Sequence, residues 1–365
     1  MRIGVTGANG FLGWHLRAFL HARKEHIVVP IGREDFSDRN RLHQRTAGCD
    51  AIVHLAGMNR GDDSEILRVN AALAEELTAA CDSTGARPHI VYANSTHSAR
   101  ETTYGRSKRR AAETLASWAE RMGTRFTDLV LPNLFGEHGR PFYNSAVATF
   151  CHQLAHGETA RIFDDIELEL VHAQTAAEAM LGAIRDGTVG SVRVSGRRLL
   201  VSEALDRLRE MAEQYRAQLI PELADILDLA LFNTYRSYLF PQSYPVRPPL
   251  HSDARGSLFE AVKTLRGGQA FFSSTRPGAT RGKHYHCRKI ERFLVVQGEA
   301  VIRVRRLLHP QAHEFRVSGS APGYIDMPTF HTHDITNVGS GELLTLFWSH
   351  ELFDRHDPDT YSEQV

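Results

Sequence analysis

Several features that mark other classes of protein are scarce in this 365-residue sequence. Lysine plus arginine and aspartate plus glutamate balance at 43 each, and no basic stripe indicates a nucleic-acid partner. No run approaches the ~18 apolar residues that span a bilayer, and the first residues have the pattern of a buried strand instead of a secretion signal. The four cysteines are scattered without a Cys-x-x-Cys pair, which favours reduced thiols and a cytoplasmic location.

Internal repeats and low-complexity tracts are also absent, and the chain shows two patterns of secondary structure in succession. Over the first two thirds, apolar runs such as Ile3–Thr6, Ile27–Ile31 and Ala51–His54 alternate with helical stretches. This alternation predicts parallel strands joined by helical crossovers, as in a doubly wound α/β domain of the Rossmann type. Beyond it, short strand-like runs separated by glycine, proline and asparagine turns predict an all-β antiparallel barrel or sandwich.

A proline-rich stretch lies between the two patterns. Pro241, Pro245, Pro248 and Pro249 fall within nine residues, so the backbone there can form neither a helix nor a central strand. The length of the chain suits two domains. We therefore predict an α/β domain over residues 1–245 and a β domain over residues 250–365.

A glycine motif follows the first predicted strand and opens the first predicted helix, at Gly7, Gly10 and Gly13. Glycines there permit a tight turn and let the backbone approach a pyrophosphate, which the helix N-terminus then holds. The second strand is followed by Arg33, which suits the 2′-phosphate of NADP(H). Because Glu34 and Asp35 follow directly, one residue of loop geometry decides between NADP(H) and NAD.

Tyr104 and Lys108 form a Tyr-x-x-x-Lys motif near the start of a helix that we predict over residues 107–121. Side chains four residues apart share one face of a helix. A nearby ammonium lowers the pKa of a tyrosine, so the phenol can exchange a proton with a substrate oxygen near neutral pH. Lys108 could also bind the nicotinamide ribose. Ser95 is the expected hydroxyl that polarises the same oxygen, and Thr96 is its alternative.

These segments resemble the extended short-chain dehydrogenase/reductase (SDR) superfamily. Residues 54–57 are similar to the segment that lines the cofactor in that family, which implies cofactor contacts at Leu55 and Ala56. Residues 132–136 are similar to the stretch after the fifth strand, whose asparagine commonly contacts a sugar nucleotide. The resemblance therefore implies that Asn133 binds substrate.

Histidines and an acid cluster towards the C-terminus. His284 and His286 stand two apart on a predicted strand and project to the same face, while Glu291 and His333 can join them across a turn and from a neighbouring strand. Three imidazoles and one carboxylate suit Zn²⁺, and also Fe²⁺, Mn²⁺ or Ni²⁺. The spacings resemble both motifs of the cupin family, which implies a jelly-roll barrel; Phe330 stands where the second motif has glycine.

The order of the two domains resembles the bifunctional SDR–cupin enzymes of bacterial capsule synthesis on the route to UDP-N-acetyl-L-fucosamine (the CapF/WbjC type). The similarity extends through segments such as Thr234–Leu239, Asp253–Ser257 and Pro358–Tyr361. It implies a homodimer held by the cupin domains, NADPH as cofactor and a UDP-linked ketosugar as substrate. The cupin domain would invert C3 of a UDP-2-acetamido-2,6-dideoxy-4-ketohexose. The SDR domain would then reduce the C4 ketone to a UDP-6-deoxy-talosamine derivative.

Several points stay open at the level of sequence. Lys283, Lys289 and His331 are candidates for the epimerisation base by proximity alone. A dTDP-linked ketosugar is an alternative substrate, and the two steps could occur in the opposite order. The barrel could also be a metal-stabilised dimerisation module attached to a simple ketosugar reductase. An iron-dependent oxygenase and an NADP-sensing regulator are further alternatives, although a sensor would not need Tyr104 and Lys108.

Overall fold

The computed structural model of the protein describes residues 1–365. Its α-helices are α1 (Phe11–Arg23), α2 (Arg33–Phe36), α3 (Arg39–Thr46), α4 (Asp63–Thr84), α5 (Thr103–Met122), α6 (Ala146–Ala155), α7 (Ala173–Asp186), α8 (Val201–Arg216) and α9 (Ile226–Arg236). Its strands are β1 (Arg2–Thr6), β2 (Ile27–Ile31), β3 (Ala51–His54), β4 (His89–Ser95), β5 (Phe126–Leu131), β6 (Asn133–Phe135), β7 (Glu167–His172), β8 (Gly190–Arg193), β9 (Arg197–Leu200), β10 (Leu219–Ile220), β11 (His251–Asp253), β12 (Gly256–Leu258), β13 (Lys263–Thr264), β14 (Gln269–Thr275), β15 (Thr280–Tyr285), β16 (Glu291–Gln297), β17 (Glu299–Arg306), β18 (Ala312–Ser318), β19 (Tyr324–Met327), β20 (His331–Asn337), β21 (Leu343–Ser349) and β22 (Tyr361–Ser362).

One compact unit comprises Met1–Phe135 and Glu167–Leu199. Its central sheet has six parallel strands in the order β2-β1-β3-β4-β5-β8. Successive residues of a strand face opposite sides of the sheet, so Val53 packs into one apolar core with α1 and α7, while Ile52 packs into another with α4 and α5. The predicted doubly wound α/β fold is confirmed.

The strand order places the carboxyl ends of β1 and β3 at the point where the order reverses. The crossovers from β1 and from β3 leave in opposite directions along the sheet, to β2 and to β4. Ligands of doubly wound sheets bind in the crevice at such a point. The glycine motif follows β1 and the segment with Leu55 and Ala56 follows β3, so both lie at this edge.

The other compact unit comprises Gly136–Ile166 and Leu200–Val365. Its barrel consists of two antiparallel sheets, with strand orders β14-β21-β16-β19 and β18-β17-β20-β15-β22. Two antiparallel sheets that pack face to face are the architecture of a jelly roll. The predicted all-β cupin fold is confirmed, and the helices α6, α8 and α9 belong to the same unit.

Buried hydrogen bonds explain why α8 and α9 group with the barrel. Tyr215 of α8 donates to Asp326 of β19 at 2.5 Å. Arg236 of α9 is 1 % exposed and donates to the Met327 carbonyl at 2.7 Å. The expected domain bounds of 1–245 and 250–365 separate these partners in sequence, and they remain a proposal about which segments fold independently. None of the helices combines the length and the apolarity needed to cross a membrane.

Candidate active sites

The loop between β1 and α1 has a backbone that only glycine allows at two of its three motif positions. Gly7 has φ +63°, in the left-handed region. A Cβ on Gly13 would collide with the carbonyl oxygen of Gly7, so the first turn of α1 approaches the loop closely. Gly10 is the N-cap of α1 and provides no side-chain cap, which leaves the first N–H groups of the helix directed at the crevice. This geometry fits a dinucleotide pyrophosphate.

A buried threonine fixes the second side of the crevice. The Oγ1 of Thr6 accepts hydrogen bonds from the N–H groups of Leu55 and Ala56, each at 3.0 Å. Its own proton therefore goes to His54 Nδ1, at 2.9 Å, and burial lowers the pKa of His54 to about 3, which keeps the ring neutral. Sequence reasoning missed Thr6; a polar residue at the carboxyl end of an otherwise apolar first strand was the available signal.

The contacts of Asp35, one of the two acids in the loop after β2, show what its carboxylate does. Asp35 is buried, accepts a hydrogen bond from the Gly32 N–H at 2.7 Å, and pairs with Arg41 and Arg45. Its carboxylate is therefore engaged by the loop backbone and by two arginines of α3, and is not available to a ribose. Arg33 and Glu34 are both exposed at the start of α2, so the choice between cofactors rests on these two side chains.

Tyr104 lies in the first turn of α5, which begins at Thr103, earlier than the predicted residue 107 because Thr102 caps the helix by accepting from the Gly105 N–H. Ser95, at the end of β4, forms a side-chain hydrogen bond with the Tyr104 hydroxyl, whereas Thr96 lies in a short 3₁₀ turn. Burial raises the pKa of Tyr104, and the bond from Ser95 opposes this shift only in part. The expected lowering of this pKa is therefore not observed: burial outweighs the stabilisation of the phenolate.

Lys108 is directed at the sheet. Its Nζ donates to the Ala93 carbonyl at 2.6 Å and lies 4.1 Å from the ring centroid of Tyr92. Burial lowers the pKa of Lys108 to about 7, and the Asp128 carboxylate opposes this shift. The ammonium is therefore easily deprotonated, and its charge does not lower the pKa of Tyr104 in this structure.

A cavity of about 530 Å³ opens beside Tyr104. Asn59, Arg60 and Arg106 are among the polar side chains that line it. Asn70 holds the loop that forms one wall, because it accepts from the Met58 N–H at 2.6 Å and donates to the Met58 carbonyl at 2.9 Å. Elsewhere in this unit, Asn133 is half-buried at the start of β6, and its amide donates to the Glu169 carbonyl at 3.4 Å.

In the barrel, the four predicted ligands come together. The Nε2 atoms of His286, His333 and His284 lie 3.1, 3.4 and 3.7 Å from Glu291 Oε2. All four ligand atoms lie within 4.8 Å of one another. Ligands about 2.0–2.1 Å from a tetrahedral metal are ~3.4 Å apart, so this spacing fits a divalent cation.

The electrostatics of the cluster also suit a cation. Burial alone would raise the pKa of Glu291, but the three imidazoles around it hold that pKa well below its ordinary value. Burial lowers the pKa of His333 to about 4, so its ring is neutral at pH 7. The Nε2 of His333 is buried and lacks a hydrogen bond of ordinary geometry. A neutral imidazole and an ionised carboxylate are the forms that bind metals.

Two carbonyl groups orient the imidazoles. His286 Nδ1 donates to the Asp359 carbonyl at 2.6 Å, and His333 Nδ1 donates to the His331 carbonyl at 3.0 Å. Each contact places a proton on Nδ1, so that Nε2, which is directed at the cluster, is the nitrogen that a neutral ring offers to a metal. Sequence reasoning missed Asp359, which lies 73 residues from His286.

The local backbone differs from a regular strand. β15 has a bulge between Gly282 and His284 and ends at Tyr285, so His286 lies just beyond it. Phe330, at the position where the second cupin motif has glycine, has φ +58°, in the left-handed region that glycine favours. Its N–H donates to the His286 carbonyl at 2.8 Å, which keeps the two motifs in register.

The three candidate bases have different surroundings. Lys289 donates its Nζ to the Pro358 carbonyl at 2.7 Å, and Lys283 is exposed. His331 is buried against the Phe240 ring, with a centroid separation of 5.0 Å, and donates from Nδ1 to the Thr329 carbonyl. The Thr329 hydroxyl donates to the buried Glu137 carboxylate at 2.8 Å. None of these contacts assigns a base.

Comparisons with known proteins cover the whole chain. Residues 3–194 match the NAD dependent epimerase/dehydratase family, and residues 251–361 match the polysaccharide biosynthesis C-terminal domain. A Pseudomonas aeruginosa protein named UDP-2-acetamido-2,6-beta-L-arabino-hexul-4-ose reductase is 36% identical over 371 residues, which cover 100% of this chain and 99% of that protein.

Solved structures give the same picture. The capsular polysaccharide assembling protein CapF from Staphylococcus aureus is 31% identical, with a TM-score of 0.62 and coverage of 100% of both chains. The UDP-glucose 4-epimerase of Thermotoga maritima, 18% identical, covers 65% of this chain and 98% of its own with a TM-score of 0.57, which shows a shared fold. The chain therefore belongs to the NAD-dependent epimerase/dehydratase (extended SDR) family and, within it, to the two-domain SDR–cupin proteins of the CapF type.

Proposed function

We propose that the protein is a bifunctional nucleotide-sugar enzyme. Its first unit reduces the C4 ketone of a UDP-linked 2-acetamido-2,6-dideoxy-4-ketohexose with NADPH, and its barrel inverts C3 of the same sugar. The observation that carries the reductase step is the hydrogen-bonded pair of Ser95 and Tyr104 at the cofactor edge of the sheet, in a chain similar over its full length to a UDP-hexul-4-ose reductase.

The protonation state of Tyr104 supports reduction. Because burial raises its pKa, Tyr104 is a phenol at neutral pH and can give its proton to the ketone oxygen. Ser95 lies beside the phenol, and rotation of its hydroxyl would let it donate to the same ketone oxygen when substrate is bound. A bound NADPH would supply the hydride to C4, which with the proton from Tyr104 would turn the ketone into an alcohol and give a UDP-6-deoxy-talosamine derivative.

The cofactor is proposed from the loops around the crevice. The N-terminus of α1 and the glycine backbone would hold the pyrophosphate, while Leu55 and Ala56 line the opposite side. Exposed Arg33 would pair with a 2′-phosphate, and Asp35 cannot compete because its carboxylate is occupied. These residues together favour NADPH.

The epimerase step is proposed from the barrel cluster. A Zn²⁺ ion, or another divalent metal, held by His284, His286, Glu291 and His333 would polarise the C4 ketone and stabilise the negative charge that develops when C3 loses its proton. The hydrogen at C3 is acidic only while the ketone is present. Epimerisation must therefore precede reduction, which removes the ketone and makes the new C3 configuration permanent.

The barrel also supports a homodimer as part of the proposal. β14 is the edge strand of its sheet, and its side chains Phe271 and Phe272 are 40% and 64% exposed. An exposed apolar edge strand favours pairing with another chain, here a second copy. Light scattering on the wild type and on Phe272→Glu tests this: we expect a dimer that the variant weakens, and a monomeric wild type would contradict it.

Proton exchange tests the two activities. The protein is incubated with UDP-2-acetamido-2,6-dideoxy-4-ketohexose in D₂O, with and without NADPH, and the sugar is followed by NMR. We expect deuterium at C3 without NADPH and loss of the ketone when NADPH is added. Reduction without exchange would reduce the barrel to a structural module of a simple ketosugar reductase. If neither exchange nor reduction occurred on a UDP- or dTDP-linked sugar, the proposal would be wrong.

A further inference from the structure

The C-terminal segment returns to the strand that carries the first proposed metal ligand. β22 pairs with β15, so that Ser362 lies opposite His284 and Tyr361 opposite Tyr285. The Glu363 N–H donates to the Lys283 carbonyl at 2.9 Å. The last residues of the chain therefore form one edge of the barrel sheet beside the ligand cluster.

Just before β22, the side chain of Asp359 closes the turn that follows β15. Asp359 is 3 % exposed, and its carboxylate accepts the backbone N–H groups of Cys287, Arg288 and Lys289 at 3.0, 2.9 and 2.7 Å. Three donors on one carboxylate satisfy most of its acceptor capacity. This turn leads directly from His286 to β16, whose first residue is Glu291. The contact therefore helps to fix the positions of two of the proposed metal ligands.

The main chain of the same residue contacts the imidazole itself. The Asp359 carbonyl accepts from His286 Nδ1 at 2.6 Å, which requires a proton on Nδ1 and turns Nε2 towards Glu291 Oε2, 3.1 Å away. Asp359 has φ +41°, a left-handed conformation that aspartate tolerates better than most residues. This backbone allows the carbonyl and the carboxylate to reach the ring and the turn from one position.

The two oriented histidines depend on different parts of the chain. His333 donates from Nδ1 to the carbonyl of His331, two residues away on the same strand. His286 depends on a residue 73 positions later in the sequence. The orientation of His286 is thus set only when the C-terminal segment docks.

We propose that Asp359 is a positioning residue of the metal centre, which fixes the tautomer and the ring orientation of His286. The proposal rests on the proposed function, namely that the four side chains bind a divalent metal. A carbonyl or carboxylate that orients a metal-binding histidine typically accounts for about 10- to 100-fold in metal affinity. We expect a loss of that size when Asp359 is replaced.

The test uses the full-length protein, stripped of metal, and Co²⁺ as the probe. Affinity is measured by competition with a chelator, and the visible absorption spectrum at saturating Co²⁺ reports the ligand geometry. Asp359→Asn keeps the size of the side chain but replaces one acceptor oxygen by an NH₂ donor, which repels the backbone N–H groups. The matched control is Asp357→Asn, which removes an exposed partner of Arg288 on the same segment.

We expect Asp359→Asn to bind Co²⁺ about 10- to 100-fold more weakly and to show a changed spectrum at saturation, while Asp357→Asn matches the wild type. Wild-type affinity, or weaker binding with an unchanged spectrum, would overturn the positioning role, since a purely structural contact would not alter the geometry at saturation. If Asp359→Asn does not fold, Asp359→Glu takes its place with the same two criteria. A wild type that binds no Co²⁺ would contradict the proposed metal function instead.

Discussion

In the first unit, burial drives the ionisable groups of the candidate reductase site towards their neutral forms, whereas in the barrel the carboxylate of the ligand cluster is held in its charged form. Burial lowers the pKa of Lys108 to about 7 and of His54 to about 3, and it raises the pKa of Tyr104. In the barrel, burial is overcome: three imidazoles hold the pKa of Glu291 well below its ordinary value.

The difference matches the chemistry proposed for each site. Hydride transfer to a ketone needs a neutral acid that can release a proton, and desolvation of Tyr104 provides one. A carboxylate and imidazoles bind a metal in their deprotonated forms, which are an ionised carboxylate and neutral rings. The sites also differ in construction, because the first uses backbone groups of glycine-rich loops while the second uses side chains from separate strands. Four predictions test this contrast.

The largest expected effect is that of Tyr104→Phe, which removes the proton donor of the first site. We expect the NADPH-dependent reduction rate to fall by about 10²–10⁴-fold, because general acid catalysis contributes an effect of that size. C3 deuterium exchange in the barrel should continue at the wild-type rate. Steady-state oxidation of NADPH and NMR measure the two activities.

The same experiment decides between the two hydroxyl candidates next to Tyr104. Ser95→Ala should also slow reduction, whereas Thr96→Val should not, since only Ser95 hydrogen-bonds to the phenol. If Tyr104→Phe kept more than a tenth of the wild-type rate, its role as the acid would be wrong.

A second substitution addresses the barrel alone. His284→Ala removes one of four ligands, and we expect bound zinc to fall and C3 exchange to drop at least about 10-fold. Reduction of a ketosugar that already has the inverted C3 should be unaffected. Zinc content by elemental analysis and exchange by NMR give the result. His356→Ala, at an exposed histidine, is the control; equal exchange in both variants would remove the metal from the proposed first step.

A third prediction concerns stability and pH at Lys108. The folded pKa is about 7 and the reference value is 10.5, so between these values the unfolded chain binds more protons than the folded one. The free energy of unfolding of the wild type therefore rises with pH in this window, and Lys108→Met lacks that rise. We expect the unfolding free energy of Lys108→Met, relative to that of the wild type, to fall by on the order of 2 kcal/mol between pH 7 and pH 9.

Denaturant unfolding of both proteins at the two pH values measures this change. The variant should lose reductase activity at both, since the proposed ribose contact is gone. If the unfolding free energies of the two proteins changed in parallel with pH, the Lys108 ammonium would not be destabilised by burial.

The smallest expected effect is that of Arg33→Ala on cofactor choice. An exposed arginine contributes about 1–2 kcal/mol through a charge-assisted bond, so KM for NADPH should rise roughly 10-fold. KM for NADH should change little. Arg39→Ala, at another exposed arginine of the same region, is the control. A preference for NADH in the wild type would instead assign the loop after β2 to an NAD site, with Glu34 as the ribose partner.

Much of the fold follows from local patterns. The strands β2 and β3 have the bounds that apolar runs predict, and the two halves show the expected parallel and antiparallel sheets. Phe330 stands where the second cupin motif has glycine, yet His333 still reaches the cluster. A bulky residue can adopt φ +58° when its surroundings hold it there. The start of α5 was predicted too late because Thr102, a capping residue, was not considered.

The supporting residues of both sites were not predictable in this way. Thr6 acts on residues 49 and 50 positions away, Asn70 acts on Met58, and Asp359 acts on His286. No periodicity or spacing links such partners, because each contact depends on how distant elements pack. The expectation that the pKa of Tyr104 falls was wrong for a similar reason, because the spacing of a tyrosine and a lysine does not show how deeply each side chain is buried.

By itself, the sequence determined whatever depends on neighbours along the chain. The positive φ of Gly7 is open to glycine in any surroundings, and alternating apolar residues form strands. His284, His286 and Glu291 are close together because few residues separate them. The tertiary structure decided what depends on surroundings: the proton position on His286, the neutral form of Tyr104, and the grouping of α8 and α9 with the barrel. Desolvation and hydrogen bonding act through space, and burial is known only once the chain has folded.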